Sequence, residues 1–231
     1  MSSPSTSWGT ATPTILTAGR RTSRPRPLTS CGCSTRSGAT GSWSFGHDLG
    51  GGIAQILATT SSERVLALGV VDGVCFDGWP VPVVKAMKLA WPLVRLLPAS
   101  AVAAALVPAL RPLFGHGERA GEFIERFVEP WRRRGSGRLL AQHLRTLDSV
   151  YTQAVAPFLP QLAIPTEVVW GRKDHQMKQR YGQRLARTVP GARLTWVEDA
   201  SHFVPADRPD EVVRAVEALI SRLGEPTTPD R

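Results

Sequence analysis

Apolar residues follow two different patterns along the chain, and the patterns divide it into segments. Val65–Val71 is an uninterrupted apolar run of strand length, which is typical of a parallel strand buried on both faces. Two further strands are predicted at 166–170 and 193–197, and residues 209–223 carry apolar side chains at helical spacing. Strands that alternate with helices predict an α/β fold with a mostly parallel sheet flanked by helices.

Residues 76–162 have a different composition from the segments on either side. They are rich in Leu, Ala, Val, Pro and Arg, with helical spacing interrupted by frequent prolines. Because proline ends a helix or occupies its first turn, this segment is predicted to form several short helices in a separate layer.

The first 45 residues show neither the period of a strand nor that of a helix, apart from a marginal strand at 42–45. Ten serines and nine threonines dominate the segment, with Pro, Gly and Arg filling much of the rest. This composition predicts a disordered, basic segment. Residues 224–231 are expected to be a short tail.

The positive charge is concentrated in that first segment. The chain has 28 Lys and Arg against 19 Asp and Glu, a net charge of +9. Residues 1–45 hold five arginines and no acidic residue, so their +5 is more than half of the total. No nucleic-acid-binding motif or interleaved aromatic residue accompanies this charge, and no nucleic acid is expected as a partner.

The cysteines and the hydropathy narrow the class of protein further. Cys31, Cys33 and Cys75 are too few for a disulfide framework and lack the neighbours of a zinc site, so neither a metal nor a cofactor is predicted. The longest uncharged stretch, 96–110, contains two prolines and is too short to cross a bilayer. The expectation is a cytoplasmic protein without stable membrane insertion.

The sharpest motif is Gly46-His47-Asp48-Leu49-Gly50, which lies between a predicted strand and a predicted helix. A turn of the form Gly-x-nucleophile-x-Gly exposes its central side chain at a helix N-terminus, and small residues on both sides let the chain turn tightly. Asp48 is therefore a candidate nucleophile. The alternative is that Asp48 is only the N-cap of the helix.

Two more polar residues follow predicted strands. Asp174 comes after the strand at 166–170, and His202 comes after the strand at 193–197. The carboxyl ends of parallel strands share one edge of a sheet, so Asp48, Asp174 and His202 are predicted to converge there. Their order along the chain, nucleophile, acid and histidine, is that of a hydrolase triad. His202 as a packed or surface histidine, and His175 beside Asp174, are the competing interpretations.

The stretches GHDLGGGIAQ, WGRKD and VEDASHFVPADRPDEVVRAVEALI resemble the α/β-hydrolase superfamily over roughly residues 42–223. The turn at 46–50 corresponds to the nucleophile elbow of this superfamily. An aspartate at its centre makes the chain similar to the branch that contains haloalkane dehalogenases and epoxide hydrolases. The resemblance implies a core made of 46–75 and 163–223, with 76–162 as an inserted helical cap.

The resemblance also implies a mechanism. Asp48 would displace a halide or open an epoxide on a small apolar molecule and form an alkyl-enzyme ester. His202 would activate the water that cleaves the ester, and Asp174 would orient the imidazole. The N–H of Leu49 would be one oxyanion donor, and His47 would pack behind the triad.

The family pattern fails in three places. Leu49 stands where this branch usually has Trp, and the chain has only two tyrosines, Tyr151 and Tyr181, where epoxide opening relies on two in the cap. The family's first strands and its H-G-x-P oxyanion loop are not found in residues 1–45. Our hypothesis is that a shifted reading frame or a mistaken start replaced them.

Three functions follow from these observations. The first is an Asp-nucleophile hydrolase, impaired by the missing oxyanion loop. The second is a non-catalytic protein of the same fold that binds a small ligand between cap and sheet. The third, binding of nucleic acid or a membrane surface through the arginines, has the least support. The sequence makes no prediction of the oligomeric state.

Overall fold

The computed structural model describes residues 41–115 and 117–223, and for 117–119 the backbone alone. The predictions made for residues 1–40 and 224–231, and for Cys31 and Cys33, lie outside this part of the chain. No described helix combines the length and the apolar character needed to cross a bilayer.

Four parallel strands form the sheet of the described residues, and they lie side by side in chain order. The strands are β1 (Ser42–His47), β2 (Val65–Val71), β3 (Thr166–Gly171) and β4 (Ala192–Val197). The helices are α1 (Leu49–Thr60), α2 (Pro82–Leu89), α3 (Trp91–Val94), α4 (Ala99–Leu110), α5 (Gly117–Val128), α6 (Ser136–Thr146), α7 (Val150–Val155), α8 (Gln179–Thr188), α9 (Val204–Asp207) and α10 (Pro209–Ser221). The prediction of a parallel sheet flanked by helices is confirmed.

Both faces of the sheet are covered, which explains the uninterrupted apolar run of β2. Val70 and Val168 belong to the cluster that includes α1 and α8, whereas Val71 and Val169 pack with Ala215 of α10 on the opposite face. All four valines are fully buried. Because successive strand residues point to opposite faces, a strand covered on both sides has no polar alternation.

β1 begins at Ser42, so the marginal strand predicted at 42–45 is confirmed, and the ordered part of the chain starts before the predicted boundary at residue 45. Trp43 pairs with Ala67 and Phe45 with Gly69 of β2. A side chain on Gly69 would collide with the Phe45 ring, so the glycine makes room for it. The polar residues of β1 gave little strand signal because its conformation comes from pairing with the apolar β2.

The helical layer is also shorter than predicted. Helices α2 to α6 contribute to two clusters of their own, but Phe76 and Trp79 pack in the core of the sheet. Thr152 of α7 donates a hydrogen bond to the carbonyl of Phe76 (2.6 Å) and accepts one from the Trp79 indole (2.7 Å). Residues 82–146 therefore form a helical layer at the place of the predicted cap, while α7 packs with the core.

An ion pair joins the end of α10 to the sheet. The guanidinium of Arg222 lies 2.8 Å from a carboxylate oxygen of Glu167 in β3, and both side chains are almost completely buried. Arg222 also donates to the carbonyls of Thr166 (3.2 Å) and Gly191 (2.6 Å). These bonds connect the last described helix to two strand ends.

Candidate active site

Asp48 occupies the turn between β1 and α1 in a strained backbone conformation. Its φ of 51° and ψ of −118° place it in a region that non-glycine residues rarely adopt, at a cost of about 1–3 kcal/mol. The amide of Asp48 donates to the carbonyl of Val71 (3.2 Å), and its carbonyl accepts from Val74 (3.0 Å). The carboxylate makes no capping hydrogen bond and is 35% exposed. Asp48 therefore occupies the N-cap position of α1, but its carboxylate does not cap the helix and is presented to the site.

The two glycines of the motif have different roles. A side chain on Gly46 would collide with the backbone of Gly50, so the turn requires glycine there. A side chain on Gly50 would meet no atom within 4 Å. The expectation that both positions must be small for steric reasons is thus wrong for Gly50. Gly51, the next residue, is the second glycine that the packing requires, because a Cβ added there would lie only 2.8 Å from the Cα of Gly73.

The structure brings the three predicted residues together at the carboxyl edge of the sheet. Nδ1 of His202 lies 3.0 Å from Oδ2 of Asp174, and its Nε2 lies 3.9 Å from Oδ1 of Asp48. Asp174 and His202 are buried, whereas His175 is exposed. The gap between Nε2 of His202 and Oδ1 of Asp48 is too long for a direct hydrogen bond.

The Asp174 carboxylate is held firmly by its own loop. Its Oδ1 accepts hydrogen bonds from the amides of Gln176 (2.7 Å) and Met177 (2.8 Å), which leaves Oδ2 for His202. Burial alone lowers the pKa of His202, but the hydrogen bond and charge of Asp174, together with the charge of Asp48, raise the pKa above its ordinary value. The two carboxylates therefore stabilise an imidazolium at this position.

His47 and Leu49 flank the nucleophile. Burial, followed by the proximity of His202, lowers the pKa of His47, so its neutral ring can donate from Nε2 to the His202 carbonyl at 2.8 Å. Leu49 is the first residue of α1, where an N–H has no acceptor within the helix, and its side chain packs against the core. His47 thus supports the His202 loop, and the Leu49 amide is available at the positive end of a helix.

Aromatic side chains connect the cap to the His202 loop, a feature that the sequence did not predict. Phe203 stacks on Phe114 with 4.6 Å between ring centroids, and it also contacts Phe127 and the ring of His47. Asp207 accepts hydrogen bonds from the amides of Gly115 (2.7 Å) and Ser201 (3.0 Å). Helix α5 and the segment before it therefore pack beside His202 through aromatic rings and the hydrogen bond of Gly115 to Asp207. Phe203 follows His202 directly, but only the fold shows that it meets the cap.

Asp72 is a second residue that sequence reasoning missed. It follows β2 immediately and is fully buried behind Asp174. The rule that located Asp174, a carboxylate after a parallel strand, applies equally to this position. His143 of α6 is a further histidine in electrostatic reach of Asp48. Partial burial lowers the pKa of His143, and the charge of Asp48 opposes this effect in part.

The two tyrosines do not join the site. Tyr181 of α8 is buried in the core, and Tyr151 of α7 is 54% exposed. Neither forms a hydrogen bond with the triad in the residues that the structure describes. Within 41–115 and 117–223, no group of three or more His, Cys, Asp or Glu side chains is arranged to hold a metal ion.

Comparison with known proteins gives the family. A model of the alpha/beta hydrolase family matches residues 38–215. The AB hydrolase superfamily protein YfhM of Bacillus subtilis is 22% identical over 176 residues, which cover 71% of this chain and 60% of YfhM. The chain thus spans well under two thirds of this relative's length.

Solved structures show the same fold. An alpha/beta hydrolase fold protein from Burkholderia ambifaria has a TM-score of 0.67 at 21% identity, over 74% of this chain and 63% of that one. The enol-lactonase from Burkholderia xenovorans LB400 has a TM-score of 0.61 at 21% identity, over 79% and 66%. The fold predicted from the motifs is confirmed: the chain belongs to the alpha/beta hydrolase family.

Proposed function

We propose that the chain is a hydrolase that uses Asp48 as a nucleophile on a small apolar haloalkane- or epoxide-like molecule and forms a covalent alkyl-enzyme ester. The observation that carries this proposal is the strained Asp48 at the elbow, with His202 at 3.9 Å and Asp174 behind it. Strained backbone is found at binding sites as well as at active sites, so the strain alone does not separate the two functions. The histidine that is paired with Asp174 and faces Asp48 favours catalysis over the non-catalytic alternative, because ligand binding needs no general base.

In the first step a carboxylate oxygen of Asp48 attacks a saturated carbon. The new C–O bond forms as the carbon–halogen bond breaks, and the halide leaves with the electron pair. Attack on a carboxylic ester or lactone would instead give a mixed anhydride, which is a poor route to hydrolysis. The carboxylate therefore favours a saturated carbon over the lactone chemistry named for the structural neighbour.

In the second step His202 removes a proton from water, and the hydroxide attacks the carbonyl carbon of the Asp48 ester. The tetrahedral oxyanion forms next to the Leu49 amide, and Asp174 stabilises the imidazolium. The tetrahedral intermediate then collapses, and the leaving alkoxide takes the proton from His202 to become the alcohol. Asp48 is left as a carboxylic acid, which loses its proton to regenerate the carboxylate. Water and haloalkane thus become alcohol, halide and a proton.

The surroundings of the triad favour a halide over an epoxide. Epoxide opening needs a proton donor for the alkoxide, and neither Tyr151 nor Tyr181 hydrogen-bonds to the triad. The rings of Phe114 and Phe203 beside His202 favour an apolar substrate. We therefore expect 1-bromobutane to react faster than 1,2-epoxybutane.

Isotope labelling tests the proposal. With enzyme in excess over 1-bromobutane in H2¹⁸O, one ¹⁸O enters the carboxyl of Asp48 and the butanol carries ¹⁶O, because water attacks the ester carbonyl. Mass spectrometry of the peptide that contains Asp48 detects the label, and Asp48→Asn is the inactive control. Label found in the butanol alone would contradict the proposal. Since the sequence predicts a missing oxyanion donor, alkylation should be faster than hydrolysis of the ester.

A further inference from the structure

Asp72 stands in a row of catalytic positions without a part in the mechanism above. It follows β2, which lies between β1, the strand before Asp48, and β3, the strand before Asp174. Its φ of 40° is strained, and its amide donates to the carbonyl of Val169 at 3.0 Å. The side chain has no exposed surface. A polar side chain this deep in the sheet needs partners for both oxygens.

Only one of the Asp72 oxygens has a conventional partner. Oδ1 accepts a hydrogen bond from the Gly171 amide at 2.8 Å. Oδ2 receives no hydrogen bond from any donor in the described residues. Gly171 connects the two acids, because its amide donates to Asp72 and its carbonyl accepts from the Asp174 amide at 3.2 Å. A hydrogen bond between the two carboxyl groups can form only if one of them carries a proton.

The surroundings decide which carboxyl holds that proton. Asp174 has three donors, the amides of Gln176 and Met177 and the ring of His202, so both of its oxygens already accept hydrogen bonds. Asp72 has one donor, Gly171. Burial, then the charge of Asp174, raises the pKa of Asp72 well above its ordinary value, and Asp48 adds to this effect.

We propose that Asp72 is a positioning residue that carries a proton and donates a hydrogen bond from Oδ2 to the Asp174 carboxylate, fixing that carboxylate against His202. The proposal rests on the proposed function, because it assigns Asp72 to the same triad. The bond supports Asp174 from the side of β2, without placing a second charge behind the imidazole.

Asp72→Asn and Asp72→Leu separate this proposal from its alternatives. The asparagine amide can accept from Gly171 and donate to Asp174, as the protonated acid does, whereas leucine fills the space but cannot donate. We expect single-turnover hydrolysis of the butyl ester to be almost unchanged in Asp72→Asn. We expect it to fall about 10–100-fold in Asp72→Leu, because a misplaced general base loses about that much. A large loss in Asp72→Asn would overturn the proposal.

Two measurements do not need turnover and so keep this proposal separate from the proposed function. In an NMR titration of ring-labelled histidine, the pKa of His202 should be the same in Asp72→Asn and in the parent chain. If Asp72 were ionised, removing its charge would lower that pKa, and this result would contradict the proposal.

The second measurement is the melting temperature against pH. A carboxyl whose pKa is raised in the folded state contributes its stability fully below the unfolded pKa of about 3.9 and loses it as the pH rises to the folded value. The parent chain should therefore lose stability relative to Asp72→Asn as the pH rises above the unfolded value of about 3.9. A difference that stays constant with pH would show that Asp72 has an ordinary pKa and would overturn the proposal, even in a chain without detectable hydrolysis.

Discussion

Replacing Gly46 with alanine tests the packing of the elbow that presents Asp48. The added methyl group would collide with the carbonyl group of Gly50, and the opposing atoms belong to the backbone of α1 rather than to a movable side chain. Inserting one methyl group into a packed interior costs about 1–3 kcal/mol, and an immobile neighbour favours the upper end of that range. We expect Gly46→Ala to lower the free energy of unfolding by about 3 kcal/mol.

Gly50→Ala is the matched control, because the same methyl group would meet nothing within 4 Å there. Alanine is a better helix former than glycine by about 1 kcal/mol, so this variant should be as stable as the parent chain or slightly more stable. The two variants should then differ by about 3–4 kcal/mol, or roughly 6–16 °C in melting temperature for a chain of this size.

Urea unfolding followed by tryptophan fluorescence measures the difference, since Trp170 is fully buried between the sheet and α8. Equal unfolding midpoints for the two variants would refute the reasoning. Such a result would mean that the backbone at Gly46 can relax and that the elbow is not closed by contact with Gly50.

Three further predictions concern other parts of the structure. Arg222→Met leaves the Glu167 carboxylate buried without its partner and should lower the free energy of unfolding, measured by thermal unfolding, by about 3 kcal/mol. The double variant with Glu167→Met should recover most of this loss, because no buried charge is left. Phe203→Ala should lower the free energy of unfolding, measured in urea, by about 2 kcal/mol. Phe203→Leu should recover only part of this loss, because leucine restores the buried apolar surface but not the stacking on Phe114. Hydrolysis of the ester requires neutral His202, so its rate should fall as the pH drops through a value above 6.5, and Asp174→Asn should shift that midpoint downward.

The sequence predicted the parts of the site that depend on topology. Asp174 and His202 each follow a recognisable strand, and parallel strands end at one edge of a sheet, so their meeting with Asp48 needed no side-chain coordinates. The glycine-rich turn was equally visible. Local pattern and sheet topology are therefore enough to predict that these three side chains meet at one edge of the sheet.

The features that the sequence did not predict depend on contacts between distant segments. Helix α7 has the composition of the cap, and only the hydrogen bonds of Thr152 with Phe76 and Trp79 place it in the core. The contact of Phe203 with Phe114 joins residues that are far apart in the chain. Asp72 becomes notable only when its complete burial is known and its Oδ2 is seen to receive no hydrogen bond from the described residues.

The accumulation of an ester on Asp48 is the most direct test of the proposed chemistry. In His202→Gln the first step needs only the carboxylate, while the second has lost its base. Incubation with 1-bromobutane should therefore add the mass of one butyl group, and peptide mapping should locate it on Asp48. The double variant with Asp48→Asn should gain no mass. An unmodified His202→Gln chain, or a butyl group on another residue, would contradict the assignment of Asp48 as the nucleophile.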